Sequence, residues 1–184
     1  DMVQILREAG QTVTYHHCED YREGLGVNSR IQLARLTSIA RDRINGRLMA
    51  EGVTFIDPTQ AWIGPDARIG RDTVVWPQTH LIGASRVGEE CQLGPNTRLI
   101  DSTAGDRCIL DETIADNVVI EDDVTCGPRC YLRGGAHLKK GSKAGTHVEI
   151  KKSTVGEGSK VPHLSYIGDA TIGAQVNIGG GSIP

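Results

Sequence analysis

Arg133 and Lys151, eighteen residues apart, are a guanidinium and an ammonium that could close on one anion. Such a pair suits a phosphate, because both groups form charge-assisted hydrogen bonds to its oxygens. Held ~5 Å apart they would repel by about 1–3 kcal/mol at a surface-like dielectric, and a bound dianion would reverse that sign. The alternative is a solvated cationic face, since Lys139, Lys140 and Lys152 are near in sequence. His163 follows in Val161-Pro162-His163-Leu164-Ser165-Tyr166. Imidazole suits general-base work near neutral pH, although a lone histidine is more commonly structural or solvent-facing. Tyr166 and Asn177 add a hydroxyl and an amide that could hold a sugar, and Gly179-Gly180-Gly181 would let a ligand approach the backbone closely.

These spacings acquire meaning only on a repeating scaffold, and the sequence supplies one. From Ile63 it divides into hexads opening on an aliphatic residue: Ile63, Ile69, Val75, Leu81, Val87, Leu93 and Leu99. The phase slips near 104–114, where two segments are shorter than six. It returns at Ile120, Cys126, Leu132, Leu138, Ala144 and Ile150, then runs through Val155, Val161, Ile167, Ile172 and Ile178. The fifth hexad position is small or β-branched as well: Ala67, Thr73, Thr79, Ser85, Cys91 and Thr97. Positions one and five can both point inward if each short strand is followed by a corner, for which Gly, Asn and Asp supply the turns. Three such sides close a coil of about eighteen residues, and coils stack at a strand spacing of ~4.8 Å. The expected class is mainly β, a parallel β-helix of hexapeptide repeats. Arg133 and Lys151 are second in their hexads and would then stack on one outer face, one rung apart.

The segment before the repeats is different in kind. Residues 1–29 suggest a short helix around Val3, Ile5 and Leu6, a turn at Gly10 and a strand at 12–15, too little to fold alone. Asn28 or Ser29 can cap a helix running to about Ala50, with Leu33, Leu36, Ala40, Ile44 and Leu48 on one stripe. Gly52 ends it and Asp57-Pro58 leads into the repeats. A helical arm between two domains is the reading; a helix internal to one domain is the alternative.

Composition bounds the partners. The 184 residues carry a net charge of -3 and a pI near 6.1, which gives no basic field for nucleic acid or anionic membrane. Apolar runs are a few residues long, so no membrane span is expected, nor a leader at Asp1-Met2-Val3-Gln4; the expected location is cytoplasmic. Five cysteines without paired CxxC spacing make disulfides and a zinc site poor readings, and Cys91 and Cys126 fit as small core residues. With 23 glycines and only 4% aromatics, the core should be thin and filled by Val, Ile, Leu and Thr.

The string GSKVPHLSYIGDATIGAQVNIGGGSI, preceded by EIKKSTVG and YLRGGAHL, resembles one family. It is the bifunctional N-acetylglucosamine-1-phosphate uridyltransferase/glucosamine-1-phosphate acetyltransferase of bacterial cell-wall precursor synthesis. GVNSRIQLARL at 26–36 resembles the segment closing that family's uridyltransferase domain. The resemblance implies three regions: 1–29 as a uridyltransferase remnant of α/β nucleotidyltransferase type, 30–62 as a linker arm and 63–184 as a truncated acetyltransferase β-helix. It also implies a left-handed coil, which the usual right-handed crossover rule would not give. By motif, His163 would be the general base, Arg133 and Lys151 would hold the sugar phosphate, Tyr166 and Asn177 the sugar, and Gly180 would lie against acetyl-CoA. Asn28 would be one ligand of the Mg²⁺ and nucleotide sugar of the uridyltransferase site. The implied substrates are glucosamine-1-phosphate and acetyl-CoA, with UTP and UDP-N-acetylglucosamine in the other reaction, and the implied assembly is a homotrimer.

Two departures stand out. The family has GAGT where this chain has Gly179-Gly180-Gly181-Ser182, and the stretch stops at Pro184, before the segment that completes the acetyl-CoA site. Asn28 alone is too little for Mg²⁺, and the uridyltransferase activity is not expected of this stretch. Other readings are a hexapeptide acyltransferase of different substrate, a β-helix carbonic anhydrase, or a non-catalytic assembly subunit. The anhydrase needs three converging histidines, whereas His137, His147 and His163 hold different hexad positions.

Overall fold

The computed structural model describes residues 1–184 and separates into two compact units, Asp1–Thr37 and Ser38–Pro184. In the first unit, helix α1 (Met2–Glu8) starts where Asp1 accepts a hydrogen bond from the Gln4 N–H at 2.9 Å. Gly10 turns the chain at φ +72°. Residues 12–15 do not form the expected strand, and the unit contains no other strand to satisfy its backbone. A 3-10 turn, Tyr21–Gly24, follows under an Asp20 cap. Helix α2 (Arg30–Ala50) begins at Ser29, whose Oγ accepts from the Gln32 N–H at 3.2 Å. Gln32 Oε1 in turn accepts from the Asn28 N–H at 2.6 Å, a reciprocal cap.

In the second unit, α2 buries Asn45 and Leu48, with Ile44 packed against the core. The predicted stripe is therefore half right: Leu33 and Ala40 are exposed, because only the last turns of α2 have coils to pack against. Asn45 does more than the apolar stripe could, donating through Nδ2 to the carbonyls of Pro58 at 2.8 Å and Ala61 at 3.0 Å. Those bonds dock the helix on the chain entering the first coil.

The coils have three faces, each a parallel stack. The first holds Thr54–Phe55, Val74–Val75, Gln92–Leu93, Ile109–Leu110, Thr125–Cys126 and the opening halves of Lys143–Lys151 and Lys160–Gly168. The second holds Trp62–Ile63, His80–Ile82, Arg98–Ile100, Thr113–Asp116, Cys130–Arg133 and the closing halves of the same two long strands. The third runs from Arg68–Ile69 to Thr171–Ile172 as a separate seven-stranded sheet. Hexad openers point inward, with Leu93, Leu99, Leu132 and Ile150 completely buried.

Corners explain the phase slip. The residue at the bend takes a left-handed φ, and it is fourth in a six-residue side: Asp72, Gln78, Glu90 and Asn96. In a five-residue side it is third, as at Asp101, Glu112 and Asn117. Three sides between Leu99 and Ile120 are thus short, not two, with Ala104 and Ala115 as buried openers. The inward fifth positions form a hydroxyl ladder between coils. Thr73 Oγ1 donates to Gly88 O at 2.9 Å and accepts from Cys91 N–H at 3.0 Å; Ser159 Oγ does the same with Gly173 O and Val176 N–H. Cys91, Cys108, Cys126 and Cys130 are free and buried, while Cys18 is exposed.

Candidate active site

Arg133 and Lys151 are partners in parallel register on the second face, as the eighteen-residue spacing requires. Each cation is met by a carboxylate. Arg133 Nη1 donates to Glu149 Oε1 at 2.8 Å, which holds the guanidinium above its ordinary pKa. Lys151 Nζ lies 3.7 Å from Asp169 Oδ2. Two of the three lysines that made a diffuse cationic face conceivable turn elsewhere, Lys139 lying 3.1 Å from Glu121 and Lys140 3.9 Å from Asp123, while Lys152 stands at the corner directly after Lys151. The Arg133–Lys151 pair is set by its register on one face. Its flanking column is Tyr131, Glu149 and Tyr166, also in register, and Arg133 stacks over the Tyr131 ring at 5.9 Å.

His163 sits on the first face, opposite Thr146 and just before the corner at Leu164. Its ring is exposed and rests against Gly180 in the next coil. A Cβ on Gly180 would lie 2.7 Å from His163 Cδ2 and 3.1 Å from Nε2. Gly180 thus leaves the space that the imidazole occupies. Asn177 is bridged to Lys160 on the same first face, three residues before Gly180. Tyr166 is on the second face, its ring lying over Gly168 and its N–H donating to Ser182 O at 3.0 Å.

The candidates therefore fall into two groups on adjoining faces. His163, Asn177 and Gly180 are on one, and Arg133, Lys151 and Tyr166 are on the other. Between them runs the edge formed by His147, Leu164 and Gly181, where the Gly181 N–H donates to Leu164 O at 2.7 Å. A hollow along this edge is lined by His147, Glu149, Leu164, Ser165, Tyr166, Gly181 and Ile183. Chemically, the arrangement offers a cation pair suited to an anion, an imidazole beside a bare backbone, and a hollow between them.

Glu149 and Asp169 were not singled out by the sequence reading. Their spacing was the available signal, since Glu149 lies sixteen residues after Arg133 and Asp169 eighteen after Lys151, one coil each. Asn28 is exposed and stands in the other unit. No group of three or more His, Cys, Asp and Glu side chains converges on a point, and one neutral amide does not make a magnesium site. His137 lies on the third face, bonded to Glu121 at 2.8 Å, whereas His163 is on the first face. No helix is long and apolar enough to cross a membrane.

No family model matches the chain. Among curated proteins it is similar over 183 of its 184 residues to proteins described as bifunctional protein GlmU. The one from Heliobacterium modesticaldum is 45% identical and the one from Carboxydothermus hydrogenoformans 48%. The chain spans 40% and 41% of those relatives' lengths. Among solved structures, LpxA from Acinetobacter baumannii matches with a TM-score of 0.51 at 16% identity, over 72% of this chain and 66% of that one. That likeness concerns the fold, a left-handed β-helix of hexapeptide repeats, and agrees with the hand implied by the motif resemblance.

Proposed function

Since this chain belongs to the family described as bifunctional protein GlmU, as a stretch about 40% of its relatives' length, we propose that it transfers an acetyl group from acetyl-CoA to the amine of glucosamine-1-phosphate. The observation that carries this reading is the register of Arg133 with Lys151, one corner away from His163 and Gly180.

The proposed chemistry follows from the residues. The phosphate dianion would displace the carboxylates now paired with Arg133 and Lys151, exchanging two weak exposed ion pairs for charge-assisted bonds to one ligand. Tyr166 and Asn177 would hold the sugar hydroxyls. The amine must be neutral to attack the thioester carbonyl; His163 would accept its proton, and as the tetrahedral adduct collapses the C–S bond would break and the departing CoA thiolate would take that proton up as free thiol. Backbone N–H groups around Gly180 are suited to the oxyanion that forms, in a segment with no side chain to block close approach. No covalent acyl-enzyme is required.

The family resemblance implies a homotrimer, in which the proposed site, at the edge between two faces of one coil stack, is completed by a neighbouring copy. The proposed organisation is 1–29 as remnant of a nucleotidyltransferase domain, 30–62 as linker arm and 63–184 as acetyltransferase β-helix, in the cytoplasm. Uridylyl transfer with UTP and Mg²⁺ is proposed only for the longer protein; Asn28 alone supplies no step of it.

The test is acetyl transfer to glucosamine-1-phosphate by the full-length protein, measured against glucosamine. If the phosphate is read by Arg133 and Lys151, glucosamine should be a poor substrate. Equal rates with both would reject the phosphate site.

A further inference from the structure

Fifteen residues other than glycine hold a left-handed φ at the corners of the coils. Fourteen are polar or charged: Asp, Asn, Glu, Gln, Arg, Lys or His. Leu164, at φ +44°, is the exception. Asn and Asp relieve this conformation by hydrogen-bonding to nearby backbone, and Gly has no Cβ to clash; leucine can do neither. Nor does the side chain recover the cost by packing, since Leu164 is 66% exposed. A locally unfavourable residue without a structural return points to a contact made with something outside the chain.

Its position says what that contact would be. Leu164 follows His163 directly and stands at the edge between the His163 face and the Tyr166 face. Its carbonyl is fixed by the Gly181 N–H at 2.7 Å, so the backbone there is tied to the next coil. In that next coil the same corner is Gly181, which has no side chain to cover Leu164. Leucine therefore lines the hollow beside Glu149, Ser165 and Tyr166 as an uncovered apolar surface, with Ile183 the other aliphatic side chain there. A sugar phosphate offers hydroxyls and a dianion to the polar groups, but its ring also carries C–H faces that need an apolar floor.

We propose that Leu164 is the apolar contact for the sugar ring of the acyl acceptor, a binding residue for the amine substrate alone; this rests on the acetyl-transfer reading above. Leu164 holds the ring down between the phosphate-binding pair and His163 and keeps water from the amine. Acetyl-CoA, proposed to lie along Gly180, does not depend on it.

The test compares Leu164→Asn, Leu164→Gly and Leu164→Met in the full-length protein, with melting temperature and both KM values measured for each. Asn and Gly relieve the corner, so their melting temperatures should equal or exceed that of the parent. Their KM for glucosamine-1-phosphate should nevertheless rise about tenfold, as expected for losing a leucine-sized apolar contact, with KM for acetyl-CoA unchanged. The Met variant should stay near the parent. An unchanged acceptor KM in both Asn and Gly variants overturns the proposal. So does a fall in melting temperature accompanied by parallel damage to both KM values, which marks a structural residue. A parent protein that transfers no acetyl group to an amino-sugar phosphate overturns the functional reading together with this one, whereas an active parent with indifferent variants overturns only the role of Leu164.

Discussion

Arg133 and Lys151 stand opposite each other on successive coils, and each is met by a carboxylate lying about one coil later in the sequence, Glu149 and Asp169. Two cations in register are thereby kept from facing each other bare, and the pairs are exposed enough to be exchanged for a ligand. Lys151→Ala should raise KM for glucosamine-1-phosphate about ten- to a hundredfold and leave acetyl-CoA almost untouched, the loss of a charge-assisted contact of about 1.5–3 kcal/mol. Arg133→Ala should behave likewise, and the double variant less than additively because both contact one anion. Steady-state kinetics with each substrate varied in turn checks this; equal damage to both substrates would assign the pair to folding.

The hydroxyl ladder makes a separate claim about stability. Thr73 bridges two coils from a fully buried position, donating to Gly88 O and accepting from Cys91 N–H. Thr73→Val keeps the shape and removes both bonds, leaving the buried Cys91 N–H unpaired while Gly88 O keeps the Gly70 N–H at 3.2 Å. The expected cost is about 1–3 kcal/mol in urea unfolding, with Thr73→Ser close to the parent. A Val variant as stable as the parent would show that the ladder contributes nothing.

Acid should weaken the third face. Partial burial works against the charge of Glu121, but Lys139, the Lys140 N–H and His137 together hold its pKa below the ordinary value. Arg107 does the same for Asp123. A carboxylate whose folded pKa is depressed contributes stability present above its unfolded pKa of about 4 and lost as pH falls through the folded value. The urea midpoint should therefore drop on acidification below about pH 4, and Glu121→Gln should drop less. Parallel curves for the two proteins would contradict the assignment.

Much of this was legible in the sequence because the fold is a repeat. A residue's hexad position dictates whether it faces in or out, so the inward ladder of Thr73, Thr79 and Ser85 and the register of Arg133 with Lys151 could be read by counting. What counting misses is what depends on length rather than type. Glu112 and Asn117 turn their corners one residue early, and nothing about an Ala opener at 104 or 115 marks a short side. The stripe from Leu33 to Leu48 shows the other limit: periodicity names a face of a helix but not how much of it finds a partner. Glu149 is one more polar residue by type, and only the structure shows its carboxylate meeting Arg133.

The family resemblance implies a homotrimer whose sites are completed by a neighbouring copy. Sedimentation of the protein should show a three-subunit species. A fully active monomer would remove the shared site altogether.

The proposed mechanism stands on His163 as the group that takes the amine proton. The most direct measurement is the pH dependence of kcat for acetyl transfer in the parent, His163→Ala and His163→Asn proteins. Loss of the base should lower kcat by about 10²–10⁴ with little change in either KM, and the rise of rate with pH as the imidazole deprotonates should vanish in both variants. If His163→Asn, which can still hydrogen-bond, keeps most of the activity and an unchanged pH profile, His163 only positions the sugar and the base lies elsewhere.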